Sequence, residues 1–260
     1  VTRERLDKLL VARGLADTRQ KAQALILAGE VFVHGQRVDK PGKVVDEHST
    51  VEVRLDRAAY VGRGGLKLEA AMAKFELSVE QAGCLDVGAS TGGFTECLLR
   101  RGAARVVALD VGKGQLHWRL RSDPRVTVME GRNARYLKPS DFSMSFDLVT
   151  IDVSFISLTQ ILPVLVPLLK PGGFILALIK PQFEVGKGEV GKGGIVQDSD
   201  KHREVVSRIQ MFAQQRLSLV VRGLMESPVL GAEGNKEFFI LLAKDAEAAR
   251  HEVSPIAHGP

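Results

Sequence analysis

Residues 85–95 read Leu-Asp-Val-Gly-Ala-Ser-Thr-Gly-Gly-Phe-Thr. The apolar run that begins at Cys84 stops at Val87, glycines and small polar residues follow, and apolar residues then recur at helical spacing from Phe94 to Arg101. The stretch is therefore a strand, a tight turn and a helix. Further apolar runs at 106–109, 126–129, 148–151 and 174–179 alternate with helical segments such as 158–169, which predicts a mostly parallel sheet covered by helices on both faces. A helix over 203–212 and two closely spaced strands, around 217–221 and 237–242, predict an antiparallel edge pair.

The residues ahead of this sheet have another texture. Leu6, Leu9, Leu10 and Leu15 fall near helical spacing with Gly14 as a stop, and Asp17 with Gln20 resembles a capping box for a second helix whose apolar face is Ala22, Leu25 and Ile26. Val31 and Val33 alternate around Phe32 before a His34-Gly35 turn, and Val51, Val53 and Leu55 alternate again. This predicts a small α+β domain over 1–56, a linker over 57–65 carrying Gly62, Gly64 and Gly65, a larger domain over 66–245 and a tail over 246–260 without pattern. Residues 184–194 hold five glycines and predict a mobile loop.

Composition sets the outer bounds. With 260 residues, 45% apolar and 26% charged, the chain can bury a sizeable core. The longest apolar stretch, 161–169, contains two prolines and is half the roughly 18 residues of a membrane span. Charged Arg3, Glu4, Arg5 and Asp7 precede no signal-peptide core, so the expectation is a cytoplasmic protein with no membrane association. Cys84 and Cys97 stand without companions at metal-ligand spacing, and neither a disulfide nor a metal site is expected. Of the net charge of +5, residues 1–66 carry +3, from twelve basic and nine acidic groups. A polyanion would be drawn to that end, although a solvated charged face gives the same count.

In open α/β sheets ligands bind at the carboxyl ends of the strands, beside such a turn. A dinucleotide fingerprint would place Gly where Ser90 stands, so Ser90 argues against NAD. Asp110 closes the next strand, twenty-four residues after Asp86, and can accept from two ribose hydroxyls. A nucleoside ligand without phosphate, of which S-adenosylmethionine is the commonest, fits this pattern; a tight turn of purely structural purpose also fits. Asn133 follows the third strand, where its amide would read an adenine edge or cap the loop. Asp152 and Lys180 end the fourth and fifth strands, Pro181 fixing the backbone after Lys180, so opposite charges meet at one sheet edge. Lys67 precedes the first strand and Glu237 opens the last; any one of the four alone reads as a surface charge, and their joint occurrence at element ends is the signal. Methyl transfer to a hydroxyl needs a base, and a lysine serves only where burial or a second ammonium lowers its pKa from about 10.4.

These residues resemble the TlyA, or hemolysin A, family of ribosomal RNA 2'-O-methyltransferases, in which an RNA-binding domain shared with a small-subunit ribosomal protein precedes an FtsJ-like enzyme. The likeness rests on Arg5-Leu6-Asp7, Arg13-Gly14-Leu15-Ala16, Ala28-Gly29 and Lys40-Pro41-Gly42 in front, and on 85–95, Ser154-Phe155-Ile156-Ser157-Leu158 and 180–188 behind. It implies a Rossmann-like class I methyltransferase with a seven-stranded sheet, and a Lys-Asp-Lys-Glu tetrad at Lys67, Asp152, Lys180 and Glu237. It also implies an S-adenosylmethionine site at Asp86, Gly88, Ser90, Thr91, Gly92, Phe94, Asp110 and Asn133. Arg5, Arg19, Lys21 and Arg63 would face RNA. Ribosomal RNA or ribosomal subunits are the implied partners, with no obligate protein partner, and cytidine ribose is the implied acceptor. The chain departs from the pattern at Gly62, where Ser is expected, and at Asn133, where some relatives carry Asp. Two further readings fit less well: a non-catalytic RNA-binding module gives no reason for Asp152 and Lys180 beside the glycine-rich turn, and for a membrane-active hemolysin the sequence shows no spanning or long basic amphipathic segment.

Overall fold

The computed structural model describes residues 3–27, 29–53, 60–186, 188, 190–231 and 234–245. The predicted tail at 246–260, the first linker residues 57–59, Ala28 and Lys187 lie outside the described residues.

The front unit is built from β1 (Arg3–Arg5), α1 (Leu6–Ala12), α2 (Arg19–Leu27), β2 (Val31–Val33), β3 (Gln36–Arg37), β4 (Val44–Asp46) and β5 (Val51–Val53). Leu6, Leu9, Leu10, Ala22, Leu25 and Ile26 close one apolar cluster with Val31, Val33 and Val45. His34 and Gly35 both have positive φ, the geometry that turns β2 back on β3. Two details differ from the sequence reading. Thr18, not Asp17, caps α2, its hydroxyl accepting the Lys21 N–H at 3.2 Å while Asp17 pairs with the Lys21 ammonium. β1 pairs antiparallel with β4 through segments of three residues, Arg3-Glu4-Arg5 and Val44-Val45-Asp46, too short for an alternation to show in the sequence.

The larger unit runs α3 (Gly64–Lys74), β6 (Gly83–Val87), α4 (Gly93–Arg100), β7 (Arg105–Asp110), α5 (Trp118–Arg121), β8 (Val126–Glu130), β9 (Phe146–Ile151), α6 (Leu158–Leu165), β10 (Leu169–Ile179), α7 (Pro181–Glu184), α8 (Ser199–Leu217), β11 (Leu219–Glu226) and β12 (Phe238–Lys244). Seven strands form one sheet in the order β11-β12-β10-β9-β6-β7-β8, with β12 antiparallel to both its neighbours and the rest parallel. Alternation along the strands sends Leu85, Val87, Val149, Ile151 and Ile175 into the layer beneath α6 and α8. Cys84, Leu148, Leu176 and Phe239 go to the opposite layer beneath α3 and α4. From β6 the chain works outward through β7 and β8, then returns to place β9 on the other side of β6. The crevice of an open sheet lies at that reversal, beyond the carboxyl ends of β6 and β9.

α3 begins at Gly64, inside the stretch read as linker. Its glycines serve close packing: a Cβ on Gly65 would fall 2.1 Å from the Tyr60 ring, and one on Gly93 would fall 2.8 Å from the Gly65 nitrogen. α8 extends beyond the expected 203–212 at both ends, because Asp198 caps it by accepting the Asp200 N–H at 2.8 Å and its flanks are polar turns that apolar periodicity does not mark.

Candidate active site

The turn after β6 is fixed from below. Gly88 and Ala89 donate their N–H groups to the Leu109 carbonyl, and Gly88 adopts φ +87°, where a Cβ would lie 2.3 Å from the Asp152 carbonyl oxygen. Only glycine lets the turn lie this close to the end of β9. Ser90, also at positive φ, donates its N–H to Asp110 Oδ2 at 2.8 Å, and Gly112 donates to Oδ1 at 2.7 Å. Each carboxylate oxygen of Asp110 thus keeps acceptor capacity toward the crevice. Gly88, Ser90, Asp110, Asn133, Asp152 and Phe155 are among the residues lining a cavity of about 620 Å³. Asn133 accepts the Arg135 N–H at 3.0 Å, so its oxygen caps the loop while its side chain borders the cavity.

A smaller cavity of about 210 Å³ adjoins the first, lined by Arg63, Lys67, Thr91, Phe94 and Asp152 together with Gly88 and Ser90. Asp152 borders both. Its Oδ1 lies 2.6 Å from Lys180 Nζ, and Lys180 also donates to Ser154 Oγ at 3.2 Å. Lys67 Nζ donates to Glu237 Oε2 at 2.6 Å in a pair that is nearly sealed from solvent. The structure therefore arranges the four charged residues of the predicted tetrad as two ion pairs, Asp152 with Lys180 and Lys67 with Glu237.

Two of the residues read as cofactor contacts sit behind the wall. Asp86 is fully buried and accepts from Thr95 Oγ at 2.7 Å and Thr150 Oγ at 3.0 Å. Strand alternation points it at α4, beneath the turn. Burial pushes its carboxyl up to about 7, the Thr95 and Thr150 hydroxyls opposing the rise and the charge of Asp152 adding to it. Gly92, at φ +101°, faces Leu116 and Leu120, which occupy the space its side chain would need. Cys84 and Cys97 are buried, and burial pushes their thiols up to about 12 and about 11.

Other site features escaped the sequence reading. Glu184, expected to open a mobile loop, is buried at the end of α7 and accepts from Leu158 N–H and Ser157 Oγ, each at 2.7 Å. It ties the segment after Lys180 to the segment after Asp152. Burial raises its carboxyl, those two hydrogen bonds and the Arg208 charge opposing. Phe155 stands at the rim with φ +63° and 89% of its surface exposed, its ring 4.8 Å from that of Phe183. A bulky residue in this strained conformation, exposed beside a cavity, marks a functional position.

In the front unit Arg5 and Arg19 converge on Asp7, at 3.0 and 2.9 Å, and Gln23 donates to the same carboxylate at 2.8 Å. Asp7 is wholly buried, and the Arg5 hydrogen bond holds its carboxyl well below the usual range against the cost of desolvation. The two guanidiniums remain half exposed beyond it. Lys21 Nζ lies 4.5 Å from the centroid of the Trp118 ring, and Arg63 is exposed at the mouth of the smaller cavity. Among the described residues no helix is long and apolar enough to cross a membrane.

Comparison with known proteins adds the following. The model of the FtsJ-like methyltransferase family matches residues 60–244, and that of the S4 domain matches residues 4–51. The chain is 48% identical to YqxC of Bacillus subtilis, a candidate rRNA methyltransferase, over 97% of this chain and 90% of that one. It is 46% identical to TlyA of Mycobacterium tuberculosis, a 16S/23S rRNA (cytidine-2'-O)-methyltransferase, over 99% of each. The solved structure of a hemolysin candidate from Streptococcus thermophilus matches with a TM-score of 0.72 and 46% identity, over 94% of this chain and 89% of that one.

Proposed function

Because the chain belongs to the FtsJ-like methyltransferase family and carries an S4 domain in front of the enzyme, we propose that it uses S-adenosylmethionine to methylate the ribose 2'-oxygen of cytidine in ribosomal RNA, in the cytoplasm. The residues of the larger cavity fit that cofactor. Its volume of about 620 Å³ suits a nucleoside with an amino-acid arm, and Asp110 is pre-oriented by two backbone N–H groups to receive a ribose diol. Gly88 and Ser90 let the backbone approach at the turn. Bound there, the cofactor supplies an electrophilic methyl group.

The observation that carries the reading is the position of Asp152, which borders both cavities and holds Lys180 at 2.6 Å. Lys180 is thereby held against the one carboxylate that borders both cavities, and in this reading it faces the incoming hydroxyl. It takes the hydroxyl proton when its own ammonium has given one up, with Asp152 and Ser154 setting its direction. Lys67 adds a second cation on the wall of the smaller cavity, balanced by Glu237 behind it. Thr91 and Phe94 complete that wall. Phe155 offers an aromatic face on which a base drawn out of an RNA fold can stack. Arg5, Arg19 and Lys21 on the front domain, with Arg63, supply phosphate contacts.

The test is tritium transfer to ribosomal RNA, followed by transfer to a fragment whose target nucleotide is 2'-deoxy. Lys180→Ala should keep cofactor binding by isothermal titration and lose roughly 10²- to 10⁴-fold in turnover, whereas Asp110→Ala should weaken cofactor binding. Methylation of the deoxy fragment, or wild-type turnover in Lys180→Ala, sinks the reading.

A further inference from the structure

We propose that segment 115–120 of the methyltransferase domain is a coupling strap, and that Glu30 of the front domain is the positioning residue through which bound RNA tightens the cofactor turn. The inference rests on the methyltransferase reading above.

The strap touches the turn along its whole length. Gln115 Oε1 lies 3.3 Å from Ser90 Oγ, the His117 N–H donates to the Thr91 carbonyl at 3.0 Å, and Leu116 and Leu120 fill the space beside Gly92. Gly92 can carry no side chain because a Cβ would stand 2.2 Å from Leu120 and 2.8 Å from Leu116. A shift of the strap is therefore felt at Ser90, Thr91 and Gly92 together. On its other side Gly62 and the start of α3, at Gly64 and Gly65, close the turn. The strap is the side of the turn that faces the front domain.

Residues 117–119 of the strap receive the RNA-binding unit. Arg119 donates to Glu30 Oε1 at 3.0 Å, and Lys21 lies over the Trp118 ring at 4.5 Å. His117 accepts the Arg119 N–H on Nδ1 at 3.2 Å, which leaves Nε2 as its donor, and that nitrogen faces Glu30 Oε2 at 3.8 Å. Both atoms of this last pair are buried without a hydrogen-bond partner, as are Trp118 Nε1 and Arg119 Nε. Four orphaned polar atoms in one junction are costly, and an approach of about 1 Å brings His117 and Glu30 to ordinary hydrogen-bond distance. The junction is thus partly made. Lys21, one of the cations assigned to RNA, stands on α2 next to it, so RNA drawn across the front domain acts on a contact that still has a bond to form.

The consequence is reciprocal, since two sites that share one element must change each other's affinity by the same factor. S-adenosylhomocysteine, which supports no turnover, is titrated calorimetrically into the full-length protein and into its complex with ribosomal RNA isolated from a strain lacking the enzyme. In the wild type the RNA complex should bind roughly 5- to 20-fold tighter, within the usual range of coupling. Glu30→Gln and Arg119→Gln should each bring that ratio to within about twofold of unity while leaving the affinity of the RNA-free protein close to the wild type, because both residues lie outside the two cavities. A merely structural contact would lower both affinities and leave their ratio alone. Equal affinities in the wild type, or a ratio that survives Glu30→Gln, overturns the proposal. A wild type that couples but transfers no methyl group fails the methyltransferase reading instead, and the two failures are distinct.

Discussion

Replacing Lys67 by Met removes the cation from a carboxylate that has almost no access to water. Glu237 is 2% exposed, and its Oε2 lies 2.6 Å from Lys67 Nζ. Left alone, the carboxylate can stay ionised in a desolvated place or take a proton, and the second course caps the cost. Holding a carboxyl of ordinary pKa neutral at pH 7 costs about 3.7 kcal/mol, inside the range of about 3–5 kcal/mol for a buried pair broken by losing one partner. In a domain of this size each kcal/mol lowers Tm by roughly 2–4 °C, so Lys67→Met should melt roughly 7–15 °C below the wild type at pH 7. The pH dependence has a definite sign. The folded variant keeps a proton that the unfolded chain releases, so lowering the pH stabilises it relative to the wild type by about 1.4 kcal/mol per unit. The deficit should shrink to about 1 kcal/mol at pH 5. Adding Glu237→Gln to Lys67→Met should recover much of the loss, as expected for residues in direct contact. Scanning fluorimetry at pH 5, 6 and 7 decides the matter: a deficit below 1 kcal/mol at pH 7, or one that does not change with pH, refutes the account of a sealed, charge-balanced pair.

Two further outcomes follow from close contacts. Gly88→Ala forces a side chain into a left-handed backbone, at a cost of about 1–2 kcal/mol, and sets its Cβ 2.3 Å from the Asp152 carbonyl; cofactor affinity should fall at least about tenfold by calorimetry, and an unchanged affinity would show that the turn can move. Asp7→Asn takes an acceptor from Arg5, Arg19 and Gln23 and should loosen the front domain at neutral pH. Because the Asp7 carboxyl is held low, the stability it contributes is present above the ordinary carboxylate pKa and is lost as pH falls through the lowered one, so the protection of the front domain's amides, relative to their intrinsic exchange at each pH, should fall in acid in the wild type and less so in Asp7→Asn.

The sequence shows those site residues that end an apolar run. Asp110, Asp152 and Lys180 close or follow strands, and the end of an apolar run is visible without any tertiary information. The turn at 88–92 is visible for the same reason. Burial direction is harder to read: Asp86 lies in the strand itself, and which face takes it depends on the helix that covers that face, so a residue expected in the pocket proves to brace the turn from beneath. Pairing across distance leaves no local trace. Lys67 and Glu237 are 170 positions apart, and neither their partnership nor the junction of Glu30 with Arg119 follows from spacing. The glycines at 62, 64 and 65 read as a linker because packing and flexibility place the same residue in a sequence; only the neighbours, Tyr60, Phe94 and Gly93, distinguish the two uses. Glu184 is illegible for a related reason: the glycines that follow it suggest a loop, whereas its carboxylate is buried and fastens the start of α6.

β12 is the last strand among the described residues and yet lies inside the sheet, between β10 and β11. During synthesis the strands β6 to β10 can emerge and associate in order, but β10 keeps one edge open until residues 238–244 have left the exit tunnel. Glu237 arrives with them, so Lys67, synthesised 170 residues earlier, must wait for its counter-ion until the sheet is almost finished. A contact of such high sequence separation forms late and slowly. A chain that stops short of β12 therefore leaves an edge of β10 exposed and Lys67 without its carboxylate.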